Sequence, residues 1–211
     1  APSGACAEGP GYWEYGTTYQ GILNLACETA LGTDFELPSI EGFDKTGLYY
    51  MYIRGNSGKR FNYSDSGEKN EPSIGLWYMA YKLNKGFYLY QDISRLDSGS
   101  FSTEHYAFLA LTCCHKLGPV AVSKPTGRLY KANGANPVLM CRTGWDKNDL
   151  YLALKGGEAN ISHAHLDVGE VVFDAYGTRW MKDFTYSTDY GKCRELLIAS
   201  GRSADRSEEH T

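Results

Sequence analysis

The sequence predicts an α+β fold, with helices first and an antiparallel sheet second. Three observations carry this. Apolar residues recur at helical spacing through the first half, the composition shifts to Gly, Pro, Asn and Lys near 118–138, and short alternating segments separated by turn chemistry follow. Helices followed by strands, rather than the two alternating, argue for two domains or subdomains and against a parallel sheet.

The segment YWEYGTTYQGILNLACETAL (12–31) sets Tyr19, Ile22, Leu23, Leu25 and Ala26 near one helical face, and Gly32 supplies a stop. IEGFDKTGLYYMYIRG (40–55) reads as a second helix. PSIGLWYMAYKLN (72–84) reads as a third and opens with Pro72 and Ser73, which suit a helix N-terminus. TEHYAFLALTCCHKL (103–117) reads as a fourth, with Cys113 and Cys114 packing as small hydrophobes and His105 and His115 structural. Between helices, NSGKRFNYSDSGEKNE (56–71) is polar and loop-like; Arg54, Lys59 and Arg60 are expected on a solvated loop rather than in a cleft for an anion. The stretch 118–138 reads as a linker. PVLMCRTGW, LYLALKGG, HLDVGEVVFDAYG and TRWMKDFTYS then read as strands, with Trp180 in the core.

The chain has 211 residues, 42% hydrophobic and 22% charged, which is globular composition. Its 21 basic and 25 acidic side chains give 21 − 25 = −4, with no basic run, so nucleic acid is a poor partner. No apolar run is long enough to span a membrane. Six cysteines without a CxxC pair match neither a zinc ribbon nor a dense disulfide scaffold. Tyrosine is abundant at 17 copies, and its flat ring with a hydroxyl suits sugar faces as well as half-buried packing.

The densest chemistry lies in SHAHLDVGE (162–170). If 161–173 is one strand, His163, His165 and Asp167 share a face while Ala164, Leu166 and Val168 face a core. An HxH pair on a strand projects two imidazoles in parallel and suits a metal. The spacing alone does not separate that from two polar residues at a sheet rim. The following YGTRW turns the chain back and brings Asp183 near, as a third ligand; Asp167 reads as a turn-side partner or an orienter.

Two motifs carry a resemblance. KGGEANISHAHLDVGEVVFDAYGTRWMKDF resembles the β-sandwich motif of the heparinase II/III-like polysaccharide lyases, and EGPGYWEYGTTY resembles a segment of the α/α-toroid domain of that family. Together they span about 7–189. The resemblance implies the later part of a toroid over 1–118 and the start of a β-sandwich over 119–205. It implies a lyase that cleaves acidic polysaccharide, heparin/heparan sulfate-like or alginate-like, by β-elimination beside a uronic acid, in the periplasm or outside the cell. His163 would reach the substrate cleft. His165 and Asp183 would hold a structural zinc, whose third ligand would be a histidine further along the sandwich. The catalytic tyrosine would be Tyr12 or Tyr15, with Tyr12 preferred. Tyr186 and Tyr190 would line sugar subsites. The residue that neutralises the uronate carboxylate would lie upstream of Ala1.

The closing RSEEHT (206–211) resembles a translated sequencing adapter, so a non-native tail is expected there, and His210 is no substitute ligand. On that reading the 211-residue piece alone has little activity. Competing readings are a non-catalytic glycan-binding or structural protein on the same scaffold, an inactive fragment of the lyase, and a hydrolase using the HxH pair with an open zinc position.

Overall fold

The computed structural model describes residues 2–97, 106–119, 122–158, 163 and 167–182. Five helices precede a five-stranded sheet, so the fold is mixed α+β. The helices are α1 (Pro10–Leu31), α2 (Phe43–Ile53), α3 (Ile74–Leu83), α4 (Tyr90–Asp97) and α5 (Ala107–Leu117). The strands are β1 (Leu129–Ala132), β2 (Val138–Arg142), β3 (Tyr151–Lys155), β4 (Val171–Ala175) and β5 (Thr178–Met181), each antiparallel to the next in chain order.

Helix α3 is the hub of the helical part, packed against α1, α2 and α5. It sits close to α1 because Gly75 has no side chain: a Cβ there would come within 2.6 Å of Thr17. Helix α1 stops where expected, with Gly32 left-handed at φ 71. Its buried face differs from the expected one. Trp13, Thr18, Gly21, Asn24 and Leu25 turn inward, while Tyr19 and Leu23 stay 47% and 54% exposed. Helix α4 gave no apolar pattern to read: its helical periodicity is strong but its mean composition is polar. In α5, Cys113 is buried and Cys114 exposed, so only Cys113 acts as a core hydrophobe.

The stretch read as a linker contains β1, whose Tyr130 and Ala132 face inward. Strands β4 and β5 join through Tyr176-Gly177, both left-handed, as a two-residue hairpin turn requires. Trp180 is 67% exposed rather than core, since β5 is the sheet edge, and its indole donates to the Ala175 carbonyl.

The inner sheet face carries Tyr130, Met140, Tyr151, Ala153 and Val172, and it shares one core with the helices. Aromatic contacts cross the boundary: Tyr52 lies 5.6 Å from Tyr130 and 5.1 Å from Trp145. Charged groups staple the same boundary. Arg142, with its guanidinium 3.6 Å from the centre of the Trp145 ring, donates to the Tyr52 and Arg54 carbonyls. Arg54 is buried and pairs with Asp92, which also accepts from Trp77. Asp174 pairs with Arg179 and accepts from Ser57. Arg54 is therefore not solvated, and neither is Arg60, which pairs with Glu14 with only 12% of its side chain exposed. Lys59 is half-buried and pairs with Glu68 at 2.8 Å.

Burial pushes the Tyr49, Tyr50, Tyr63 and Tyr151 phenols well above the ordinary tyrosine value. The unfolded chain would release these protons first, near pH 10. Stability from these groups is therefore complete below about pH 10 and falls as pH rises toward the raised folded values. Tyrosinate absorbance followed during base titration should show exposed tyrosines ionising reversibly, then a cooperative step in which the buried set ionises with unfolding. Smooth ionisation of every tyrosine in the native state would contradict this.

Candidate functional site

The N-terminus of α1 is seated on the 63–66 loop. Gly9 permits this in two ways: its φ is +93, and a Cβ there would lie 3.0 Å from Ser64 Cβ and 3.1 Å from the Tyr63 carbonyl. Pro10 then occupies the first helical position, where no amide donor is needed. One turn in, two neighbouring aromatics part. Trp13 turns inward, stacking on Tyr50 at 4.1 Å and donating to Thr46. Tyr12 turns outward and is 36% exposed.

Against Tyr12 lies His163, with ring centres 4.3 Å apart. His163 Nδ1 is 2.8 Å from Asp65 Oδ2. An Nδ1 proton donated to this carboxylate leaves Nε2 as the acceptor, turned to act as a base. The Tyr12 phenol beside it can give or take a proton at the same place. The three side chains come from residues 12, 65 and 163, so tertiary structure alone assembles them.

Asp167 holds the arrangement. It forms an ion pair with Lys155 of β3, the two side chains being 5% and 0% exposed. Its other oxygen accepts the Ser64 amide at 3.0 Å. Ser64, at φ +56, and His163, at φ +58, are both left-handed, a conformation that costs a non-glycine residue about 1–3 kcal/mol and needs outside support. The Lys155 ammonium also lies 5.5 Å from the centre of the Tyr63 ring.

The single strand expected over 161–173 is not what forms. Strand β4 starts at Val171, and Asp167 to Glu170 is a turn closed by the Glu170 amide on the Asp167 carbonyl at 3.0 Å. Val-Gly-Glu after an aspartate is turn chemistry, and the buried ammonium draws the carboxylate inward. His163 and Asp167 therefore do not share a strand face, and Asp167 is a turn-side partner of Lys155.

Of the other candidates, Tyr15 packs edge-on against Tyr19 at 4.9 Å and is 66% exposed. His165, Asp183, Tyr186 and Tyr190 lie outside the described residues. Among the described residues, no group of three or more His, Cys, Asp or Glu side chains is arranged to hold a metal. Sequence reasoning passed over Asp65 and Lys155. Asp65 sits in a polar loop whose composition announces only a turn. Lys155 occupies an inward strand position that alternation assigns to an apolar residue, which was the one available signal.

Replacing Asp65 with Ala should leave the fold intact and change the histidine. Nitrogen-detected NMR of the native chain is expected to show His163 as the Nδ1-protonated tautomer. In Asp65→Ala that preference should vanish while the melting temperature stays within about 3 °C, because Asp65 is at the rim. An unchanged tautomer would show that Asp65 does not orient the ring.

Compared with protein-family models and with curated proteins, the sequence matches none.

Proposed function

We propose that the chain belongs to a polysaccharide lyase that breaks the glycosidic bond beside a uronic acid by β-elimination. The observation that carries this is Tyr12 against His163, with His163 backed by Asp65. Elimination needs a base for the C5 proton and an acid for the leaving oxygen, both within hydrogen-bond reach of one sugar. As the C5–H bond gives up its electrons, a C4–C5 double bond forms and the C4–O bond breaks. His163 Nε2 takes the proton, and the Tyr12 phenol protonates the departing oxygen. Asp65 fixes the imidazole and stabilises its charge after transfer. Tyr15, one turn along the same helix, stands as the second candidate for the phenol.

The finer architecture belongs to the same proposal: a toroid fragment over 1–118 and a β-sandwich beginning at 119. The outer face of the sheet supports a second layer, since Leu129, Leu152, Leu154 and Met181 are apolar and 37–64% exposed. A structural zinc held by His165 and Asp183 would supply a fixed cross-link near the histidine segment. Tyr186 and Tyr190 remain proposed subsite residues, and an extracytoplasmic location goes with an acidic polysaccharide substrate. No helix among the described residues is long and apolar enough to cross a membrane.

The experiment is ultraviolet detection of unsaturated uronate from heparan sulfate, hyaluronan or alginate by the full-length protein. Tyr12→Phe and His163→Ala should each lower kcat/KM at least about a hundredfold, ~2.7 kcal/mol of transition-state stabilisation. Product formation untouched by both substitutions would overturn the assignment.

A further inference from the structure

One guanidinium joins the two elements that carry Tyr12 and Asp65. Tyr12 stands on α1, and Asp65 stands in the loop that runs from Arg60 to Glu68. Arg60 Nη1 is 2.7 Å from Oε2 of Glu14, which follows Tyr12 by two residues. Arg60 Nε donates at 2.7 Å to the carbonyl of Gly67, which follows Asp65 by two residues. Nη1 also lies 3.4 Å from the Tyr50 hydroxyl, and the Tyr50 ring stacks on Trp13 at 4.1 Å.

These contacts act on both sides of the site. Successive helical residues are turned by about 100°. With Trp13 held inward and Glu14 held on Arg60, the rotation of α1 about its axis is fixed, and with it the direction in which Tyr12 points. On the other side, the Arg60 amide donates to the Glu68 carbonyl at 3.0 Å while its side chain holds Gly67. Backbone and side chain of one residue thus close the loop that presents Asp65. Arg60 is in turn anchored on the sheet, since Arg179 of β5, paired with Asp174, donates to the Arg60 carbonyl at 3.0 Å.

We propose that Arg60 is a positioning residue of the site, holding Tyr12 at a fixed distance from His163 and Asp65. It acts through Glu14 and Gly67 rather than on the reacting atoms. The arrangement asks for arginine. Nε and Nη1 donate from one rigid plane to acceptors on two different elements, whereas a lysine ammonium on a flexible stem fixes no angle between them. A misplacement of about 1 Å between reacting groups can cost on the order of a hundredfold in rate, so such a brace bears directly on proton transfer. The inference rests on the lyase reading for the reaction whose rate is followed, but not for the geometry.

The test pairs proton NMR on the 211-residue chain with kinetics on the full-length protein. The native chain should show cross-relaxation between the Tyr12 and His163 rings, whose centres are 4.3 Å apart. Arg60→Lys and Glu14→Gln should each weaken it at least about threefold, since a small displacement parts the rings. Lys82→Met, which breaks the pair with Glu28 toward the other end of α1, should leave it unchanged. In the kinetics, Arg60→Lys should lower kcat at least about tenfold with KM within about twofold, the mark of lost transition-state geometry rather than lost binding. Undiminished cross-relaxation in a folded Arg60→Lys chain overturns the proposal. So does an unchanged kcat, whether KM rises or not. If Arg60→Lys fails to fold, Glu14→Gln decides on the same criteria. Weakened cross-relaxation with no unsaturated product from the native full-length protein keeps the brace and sinks the lyase reading. Product formed at the native rate by Arg60→Lys, with cross-relaxation intact, does the reverse.

Discussion

The buried ion pair between Lys155 and Asp167 is the constraint on which the candidate site depends. An ammonium on the inward face of a central strand cannot stay unpaired, because its desolvation would cost several kcal/mol. It therefore captures the carboxylate of the turn that follows residue 163. That carboxylate has a second oxygen, and it spends it on the Ser64 amide, 103 residues away in sequence. One ion pair thus joins the sheet, the histidine segment and the loop that carries Asp65. The α1 N-terminus closes the arrangement by resting Gly9 on that loop, which sets Tyr12 beside the imidazole.

The same device recurs along the helix–sheet boundary. A core this rich in tyrosine is flat, amphipathic and tolerant of polar tips, so cations can lie over rings and still reach backbone carbonyls. Arg142 does so over Trp145, and Asp174 with Arg179 tethers the 57–60 segment. Gly55 is needed there because a Cβ would run into the Asp174 carboxylate at 2.1 Å. Apolar packing drives the association of helices and sheet, and these directional pairs select a single register for it. A site drawn from three distant segments needs that selection, since a small slip would part Tyr12 from His163.

Much of the architecture is legible in the sequence. Helices α1, α2 and α3 are visible because their apolar residues and their Gly or Pro boundaries agree, and β2, β3 and the β4–β5 hairpin because alternation and turn chemistry agree. Strand β1 was hidden in a Gly- and Pro-rich stretch, and helix α4, though periodic, is too short and too polar on average to stand out. Tyr12 and His163 could be singled out from motif and residue type. Asp65 could not, since a loop aspartate carries no pattern that points to a partner 98 residues away. The histidine segment misled for a physical reason. Alternation assumes that every side chain follows the pleat, and Asp167 instead leaves the strand to meet a buried lysine. Lysine at an inward strand position was the clue, legible only once β3 is aligned with its neighbours.

The Lys155–Asp167 pair positions the site rather than merely stabilising the fold. Replacing both partners together, Lys155→Met with Asp167→Leu, removes the charges without leaving one unpaired. The measurement is solvent exchange of the His163 Nδ1 proton in the native chain and in this double variant, alongside urea unfolding. Stability should stay within about 1–2 kcal/mol of the native chain, with the proton no longer protected because Ser64 and Asp65 have lost their anchor. A double variant that is equally stable and keeps the His163 proton protected would contradict it.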